Sequence, residues 1–276
     1  MNVGRRQPGD SGWPAAVMGK LYVTPDSFAA GGSYVRPEEA LKGAREMAVD
    51  GADLIDVGGE STRPGADEVS LGDELDRIIP VIQAVVSQIR VPVSIDTSKP
   101  DVMMAAVEAG AGMINDVQAL RSSGAIEAAA ACRVPVCLMH MQGRPRTMQV
   151  APKYDDVVED VYRFLSERIE AAVAGGMRET DLIIDPGFGF GKTLEQNLRL
   201  MKHLGRFRAL GLPILVGVSR KSMIGQVLDR PVDDRLYGSL ALAALAVEAG
   251  ASIIRVHDVG PTADVVRMLA AVRAAQ

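Results

Sequence analysis

The chain has 276 residues and a formal net charge of −5, from 30 Lys and Arg against 35 Asp and Glu. That balance argues against a general nucleic-acid or anionic-membrane surface, yet leaves room for a small, locally basic pocket. No apolar stretch reaches membrane-spanning length, and Cys132 and Cys137 have neither CxxC spacing nor a histidine cluster, so buried thiols in a reducing, cytoplasmic compartment are expected.

Residues 1–14 carry basic residues but no apolar segment of the secretory type, which predicts a flexible tail. From 15 to 276 no Pro/Ser/Gly-rich linker interrupts the pattern, so a single domain is expected. Short apolar runs lie at 17–23, 54–58, 91–96, 112–116, 134–140, 182–185, 214–219 and 253–258. Their near-continuous Val/Ile/Leu content suits parallel strands packed on both faces. Helices are expected between them. Pro37-Glu38-Glu39 opens the first, with proline at the start and acids in the first turn, and Val49-Asp50-Gly51 closes it. In 71–89 the apolar residues Leu71, Leu75, Ile78, Ile82 and Val85 stand mostly three or four apart. Segments 100–109, 125–132, 157–174, 194–210, 233–249 and 262–274 complete the set.

Strand, helix, strand, repeated around the chain, predicts a (β/α)8 TIM barrel, whose chemistry sits at the carboxyl ends of the strands. Asp56, Asp96, Asn115, Asp185, Lys221, Arg255 and His257 stand at or just beyond those ends and are expected to converge. Two long connections, 24–36 and 59–70, lie on the same side and read as lids or clamps.

Asp96, Asn115 and Asp185 offer two carboxylates and an amide. A flat heterocycle displaying several N–H groups suits them, because a carboxylate accepts paired hydrogen bonds from such an edge. A hard cation would also suit them, and so would bonding to loop amides. Arg255 and His257 are two apart and share a face. With Lys221 they predict an anionic group, phosphate or pyrophosphate, near the loops after strands seven and eight. His140 either lines the pocket or packs, and His203 reads as surface. The run Asp185-Pro-Gly-Phe-Gly-Phe-Gly-Lys-Thr193 ends like a nucleotide loop, but Pro186 stands where that motif needs its first glycine. A bend bringing backbone and Phe190 close to a planar ligand fits better.

Several segments together carry a resemblance. They are Val23-Thr-Pro-Asp-Ser-Phe28, Asp56-Val-Gly-Gly-Glu-Ser-Thr-Arg-Pro-Gly65, Asp96-Thr-Ser-Lys-Pro100, Ile114-Asn-Asp116, Met139-His-Met-Gln-Gly143, Asp185 to Gly191, Ser219-Arg-Lys-Ser222 and Arg255-Val-His-Asp-Val259. From about residue 16 onward the chain resembles the dihydropteroate synthase family, pterin-binding TIM barrels of folate biosynthesis. The resemblance implies a cytoplasmic, homodimeric transferase of the class that sulfonamides target. It would join 4-aminobenzoate to 6-hydroxymethyl-7,8-dihydropterin pyrophosphate and release pyrophosphate. It implies that Asp96, Asn115, Asp185 and Lys221 hold the pterin, and that Lys221, Asp96, Asp185 and Arg255 carry catalysis. Arg255 and His257 would bind pyrophosphate, and Phe28, Thr62, Arg63, Pro64, Phe190 and Ser222 would form the aminobenzoate pocket and its loops.

The first strand departs from the family pattern. Lys20 and Tyr22 face the same side, toward the barrel interior, and Tyr22 stands where the family has an asparagine that contacts Mg²⁺. Ala30 stands where the family has a loop aspartate. Mg²⁺ is the cofactor the resemblance implies, yet a phenol is a poor ligand for it, so the direct protein ligand is expected to be lost. Three consequences are open: a synthase in which Lys20 partly replaces the cation, a pterin-binding variant with impaired catalysis, or a Schiff-base Lys20 with Tyr22 as proton shuttle. Related barrels that donate methyl groups to corrinoid partners are a further alternative.

Overall fold

The computed structural model describes residues 14–23, 37–61, 65–143 and 147–275. Eight parallel strands run β1 (Ala16–Tyr22), β2 (Leu54–Gly58), β3 (Val93–Asp96), β4 (Met113–Asp116), β5 (Val136–Met139), β6 (Leu182–Asp185), β7 (Leu215–Val216) and β8 (Ile253–Val256). The sheet order is β6-β5-β4-β3-β2-β1-β8-β7, and a parallel bridge between Ile184 and Ile214 joins its two edges. This is the expected (β/α)8 barrel.

Four strands, β3, β4, β5 and β7, begin one or two residues later than the apolar runs suggest, and a proline stands at the foot of three of them. Pro92, Pro135 and Pro213 stand at the foot of β3, β5 and β7. Each lacks an N–H, but its carbonyl accepts the first ladder bond from Ile55, Ile114 and Ile184 respectively, at 2.9–3.0 Å. A proline is tolerated at a strand start for this reason.

The surrounding helices are α1 (Pro37–Asp50), α2 (Leu71–Gln88), α3 (Pro100–Glu108), α4 (Ala125–Cys132), α5 (Val157–Ala174), α6 (Leu194–Lys202), α7 (Ser222–Leu228), α8 (Leu236–Glu248) and α9 (Val259–Ala274). The expected helix 194–210 breaks at His203, and its second half is a 3-10 segment, Leu204–Leu210. The helix expected from 262 begins at Val259, because Pro261 sits in its first turn, where no helical N–H bond is lost. The helix expected from 233 begins at Leu236, after a short 3-10 turn at Val232–Asp234. Helix α7 was not anticipated; one short apolar patch gives too little period to read.

Two cores result. Between strands and helices lies a continuous apolar layer including Ile55, Ile78, Ile95, Leu165 and Phe207. Inside the barrel, Ala16, Met18, Leu54, Met113, Cys137, Ile183, Leu215 and Ile253 form a separate plug. Cys137 is buried there, whereas Cys132 is half-buried, and both thiols are free. The plug closes the foot of the barrel, so inward side chains one pleat higher face the mouth.

Candidate active site

Register fixes the layer above the plug. Lys20 pairs with Asp56, Tyr22 with Gly58, Gly58 with Asp96, and Asp96 with Asn115 along successive neighbours. Arg255 on β8 pairs with Met18. Its guanidinium clasps two carboxylates, with Nε donating to Asp56 Oδ2 at 2.6 Å and Nη2 to Asp96 Oδ2 at 2.7 Å. Asn115 Nδ2 donates to the same Asp56 oxygen at 3.1 Å, and the Tyr22 hydroxyl approaches Asp96 Oδ2 at 3.4 Å. The second oxygens, Asp56 Oδ1 and Asp96 Oδ1, are buried without a hydrogen-bond partner. Buried acceptors of this kind are costly unless a donor meets them. A ligand carrying N–H groups is one way to meet them.

Electrostatics agree. Burial pushes Asp96 up, against the pull of Arg255 and with Asp56 adding to the rise. Burial works against the charge of Arg255, but Asp56 and Asp96 outweigh it and hold the guanidinium well above its ordinary value. A guanidinium shared by two carboxylates leaves this cluster with a carboxylate in excess.

The second half of the mouth is the loop after β6. Asp185 Oδ1 accepts from the Gly187 amide at 2.7 Å, which turns the chain sharply. Gly187 has φ +72°, and a Cβ there would lie 1.8 Å from the His140 carbonyl oxygen. Only glycine allows this approach to the end of β5. Lys192 then turns inward. Its ammonium meets His140 Nδ1 at 2.9 Å and donates to the carbonyls of Gly187 at 2.8 Å and Phe190 at 3.1 Å. All three of its donors are thereby used. The lysine of the nucleotide-like motif is a buried strut and not a phosphate contact. His140 is its partner, packed edge-on against Phe164 at 4.8 Å between ring centroids, so it belongs to the packing. Burial drives the pKa of Lys192 and of His140 well down.

Lys221 reaches this loop from the end of β7. Its Nζ donates to the Phe188 carbonyl and lies 4.6 Å from the centre of the Phe190 ring. Burial lowers its pKa to about 8, against the attraction of Asp185 and with repulsion from Arg255. Burial raises Asp185, with Lys221 the chief opposing charge. Phe190 therefore lies against Lys221 at the mouth. Ser222 is exposed at the first position of α7.

His257 and Ser219 face each other across β8 and β7. The His257 amide donates to Ser219 Oγ at 3.2 Å, while that hydroxyl lies 3.0 Å from His257 Nδ1. The pair links the ends of the last two strands and fixes the orientation of the imidazole. Phe28, Ala30, Thr62, Arg63 and Pro64 lie outside the described residues, as does the whole of the first long connection, 24–36.

Some supports were not legible in the sequence. Arg220 donates through Nε to Asp258 at 2.9 Å and adopts φ +56°. It pins the turn that presents Lys221 to the end of β8. Asp116 accepts from Ser98, from the Gln118 amide at 2.8 Å and from the Leu120 amide at 2.7 Å. This holds a loop in which Ala119 and Leu120 both have positive φ, and it anchors the tip that carries Asn115. Lys99 bridges Glu60 and the fully buried Glu74, tying the loop after β2 to α2 and α3.

The implied Mg²⁺ does not fit these residues. The first strand offers an ammonium and a neutral phenol where a carboxylate or amide oxygen is needed, and Arg255 already occupies one oxygen each of Asp56 and Asp96. Among the described residues, no group of three His, Cys, Asp or Glu side chains could hold a metal ion.

A barrel whose mouth pairs buried carboxylates and an amide with a cationic rim is suited to a flat, N–H-rich ring bearing an anion. The family model described as pterin binding enzyme matches residues 18–257, which places the chain in that class. A dihydropteroate synthase of Escherichia coli (strain K12) is 52% identical over 94% of this chain and 92% of its own. Dihydropteroate synthase of Yersinia pestis, solved with a sulfonamide drug complex, superposes with TM-score 0.91 at 50% identity, covering 95% of each chain. That of Xanthomonas albilineans, solved with 4-aminobenzoic acid, superposes with TM-score 0.90 at 52% identity, covering 95% of this chain and 94% of that one. The chain belongs to the dihydropteroate synthase family. These relatives favour the synthase over corrinoid methyl transfer.

Proposed function

We propose that this protein is a transferase that joins 4-aminobenzoate to 6-hydroxymethyl-7,8-dihydropterin pyrophosphate, giving dihydropteroate and pyrophosphate. The observation that carries the reading is the pair of partnerless buried oxygens on Asp56 and Asp96, one layer above an apolar plug and beside Arg255. The ring edge donates to Asp96 and Asp185, Asn115 and Lys221 fix its orientation, and the diphosphate lies toward Arg255 and His257. The carbon–oxygen bond to the leaving diphosphate breaks first. The bonding pair departs with the diphosphate, and the positive charge left at the methylene spreads into the ring. Asp96 and Asp185 stabilise that charge. The amine of 4-aminobenzoate then attacks the methylene carbon and loses a proton. Positioning supplies much of the remaining rate enhancement.

Phe190 and Ser222 border the aminobenzoate side, and sulfonamides compete there. We place the protein in the cytoplasm, in keeping with two free thiols. We also propose a homodimer through the last helices, where Tyr237 is 82%, Met268 64% and Val272 66% exposed on α8 and α9. Apolar side chains this exposed mark interaction surfaces when they cluster. The test is steady-state dihydropteroate formation. The native protein turns over, and Asp96→Asn and Arg255→Met each lower kcat/KM by about 100-fold or more. Native rates in both variants would refute the assignment.

A further inference from the structure

The proposed reaction brings a multiply charged diphosphate to a mouth in which Arg255 is already engaged by two carboxylates. Taken alone, Asp56, Asp96 and Arg255 carry one formal negative charge in excess. An anion approaching them meets repulsion, and a divalent cation is one remedy. The donor set does not suit such a cation, as shown above.

The first strand supplies another remedy. Lys20 is the register partner of Asp56 and faces the mouth. Its Nζ lies 4.0 Å from the centre of the Tyr22 ring, and its charge acts on Asp96. The Arg255 guanidinium carbon lies 5.9 Å from the centre of the same ring. One aromatic ring thus gathers two cations, an arrangement favoured by the ring quadrupole. The Tyr22 hydroxyl, directed at Asp96, fixes that ring at one end. Adding Lys20 brings the cluster to formal neutrality before any ligand arrives.

We propose that Lys20, oriented by Tyr22, is the built-in counter-charge for the diphosphate, so that this protein binds that group without a divalent cation. Lys20 contacts the substrate and is a specificity-determining residue; Tyr22 is a positioning residue. The departure of this strand from the family pattern is then a matched exchange, an ammonium and its aromatic platform in place of a metal and its ligand. This rests on the proposed function, because the anion is that reaction's leaving group.

Calorimetric titration with inorganic pyrophosphate tests it, in EDTA and again in Mg²⁺, with 6-hydroxymethylpterin titrated separately. The native protein is expected to bind pyrophosphate in EDTA, with a dissociation constant within about twofold of that in Mg²⁺. Lys20→Met weakens pyrophosphate binding in EDTA by about 10- to 100-fold and leaves pterin binding intact, while Lys20→Arg restores most of the loss. Tyr22→Leu gives a smaller loss of the same kind. Pyrophosphate binding by the native protein that requires Mg²⁺ would overturn the proposal, and this comparison needs no variant. Equal pyrophosphate binding by Lys20→Met would also overturn it. Failure of the native protein to bind the pterin would count against the proposed function instead.

Discussion

At the scale of single residues, the site depends on charges kept in unusual states by burial. Lys221 acts as a donor only while protonated, and its pKa is lowered to about 8. Its ammonium is therefore lost as pH rises through about 8, well before an exposed lysine would titrate. Pterin affinity, followed by fluorescence across pH 6 to 10, is expected to fall through that region. In Lys221→Arg the fall moves to higher pH, since a guanidinium stays charged. Titration of the ligand itself is common to both proteins, so the difference between the curves reports residue 221. Coincident curves would show that Lys221 does not contribute its charge to binding. Asp96 and Asp185, both raised, are expected to make the acid limb begin above the usual carboxylate range. There the acceptors are lost as pH falls.

At the scale of elements, the loop from β6 to α6 shows what sequence reading reaches and what it does not. The inward residues Asp56, Asp96, Asn115, Asp185 and Arg255 were legible because strand period and barrel architecture together set one inward layer at the mouth. Lys192 was not. Its motif suggested a phosphate loop and failed on Pro186, but no spacing rule says that an ammonium will turn inward onto His140 and two carbonyls. The role of Arg220 was hidden likewise, since its partner Asp258 follows a different strand. Local pattern fixes which face a residue takes; pairing across loops depends on tertiary geometry. Lys192→Met would leave a histidine and two buried carbonyls short of a donor. It is expected to destabilise the protein by about 2–4 kcal/mol in urea unfolding. Surviving protein should show a raised KM for the pterin substrate with a smaller change for 4-aminobenzoate. Unchanged stability would mean that the strut is dispensable. The capping box of α6, in which Thr193 and Gln196 bond each other's backbone at 3.3 and 2.8 Å, anchors the far end of this loop.

At the scale of the whole molecule, the site exists because the barrel closes. Arg255 meets Asp56 across 199 residues of sequence and Asp96 across 159. The β8 side of the mouth is joined to β2 and β3 by these bonds, and to the end of β7 through His257 and Ser219. A ligand held by all of them adds a cross-brace to the folded state alone, so it raises thermal stability by mass action. The exposed apolar residues of α8 and α9 belong to this scale too. Sedimentation at micromolar concentration is expected to give a dimer, and Tyr237→Glu to shift it toward monomer while the barrel stays folded. A native protein that sediments as monomer throughout would remove the dimer from the account. The most direct test of the central claim is a crystal structure with a non-hydrolysable analogue of 6-hydroxymethyl-7,8-dihydropterin pyrophosphate. The account predicts the ring edge against Asp96 and Asp185, and the diphosphate between Lys20, Arg255 and His257 without a metal ion. An analogue seated elsewhere on the barrel, or a diphosphate turned away from Arg255, would contradict it.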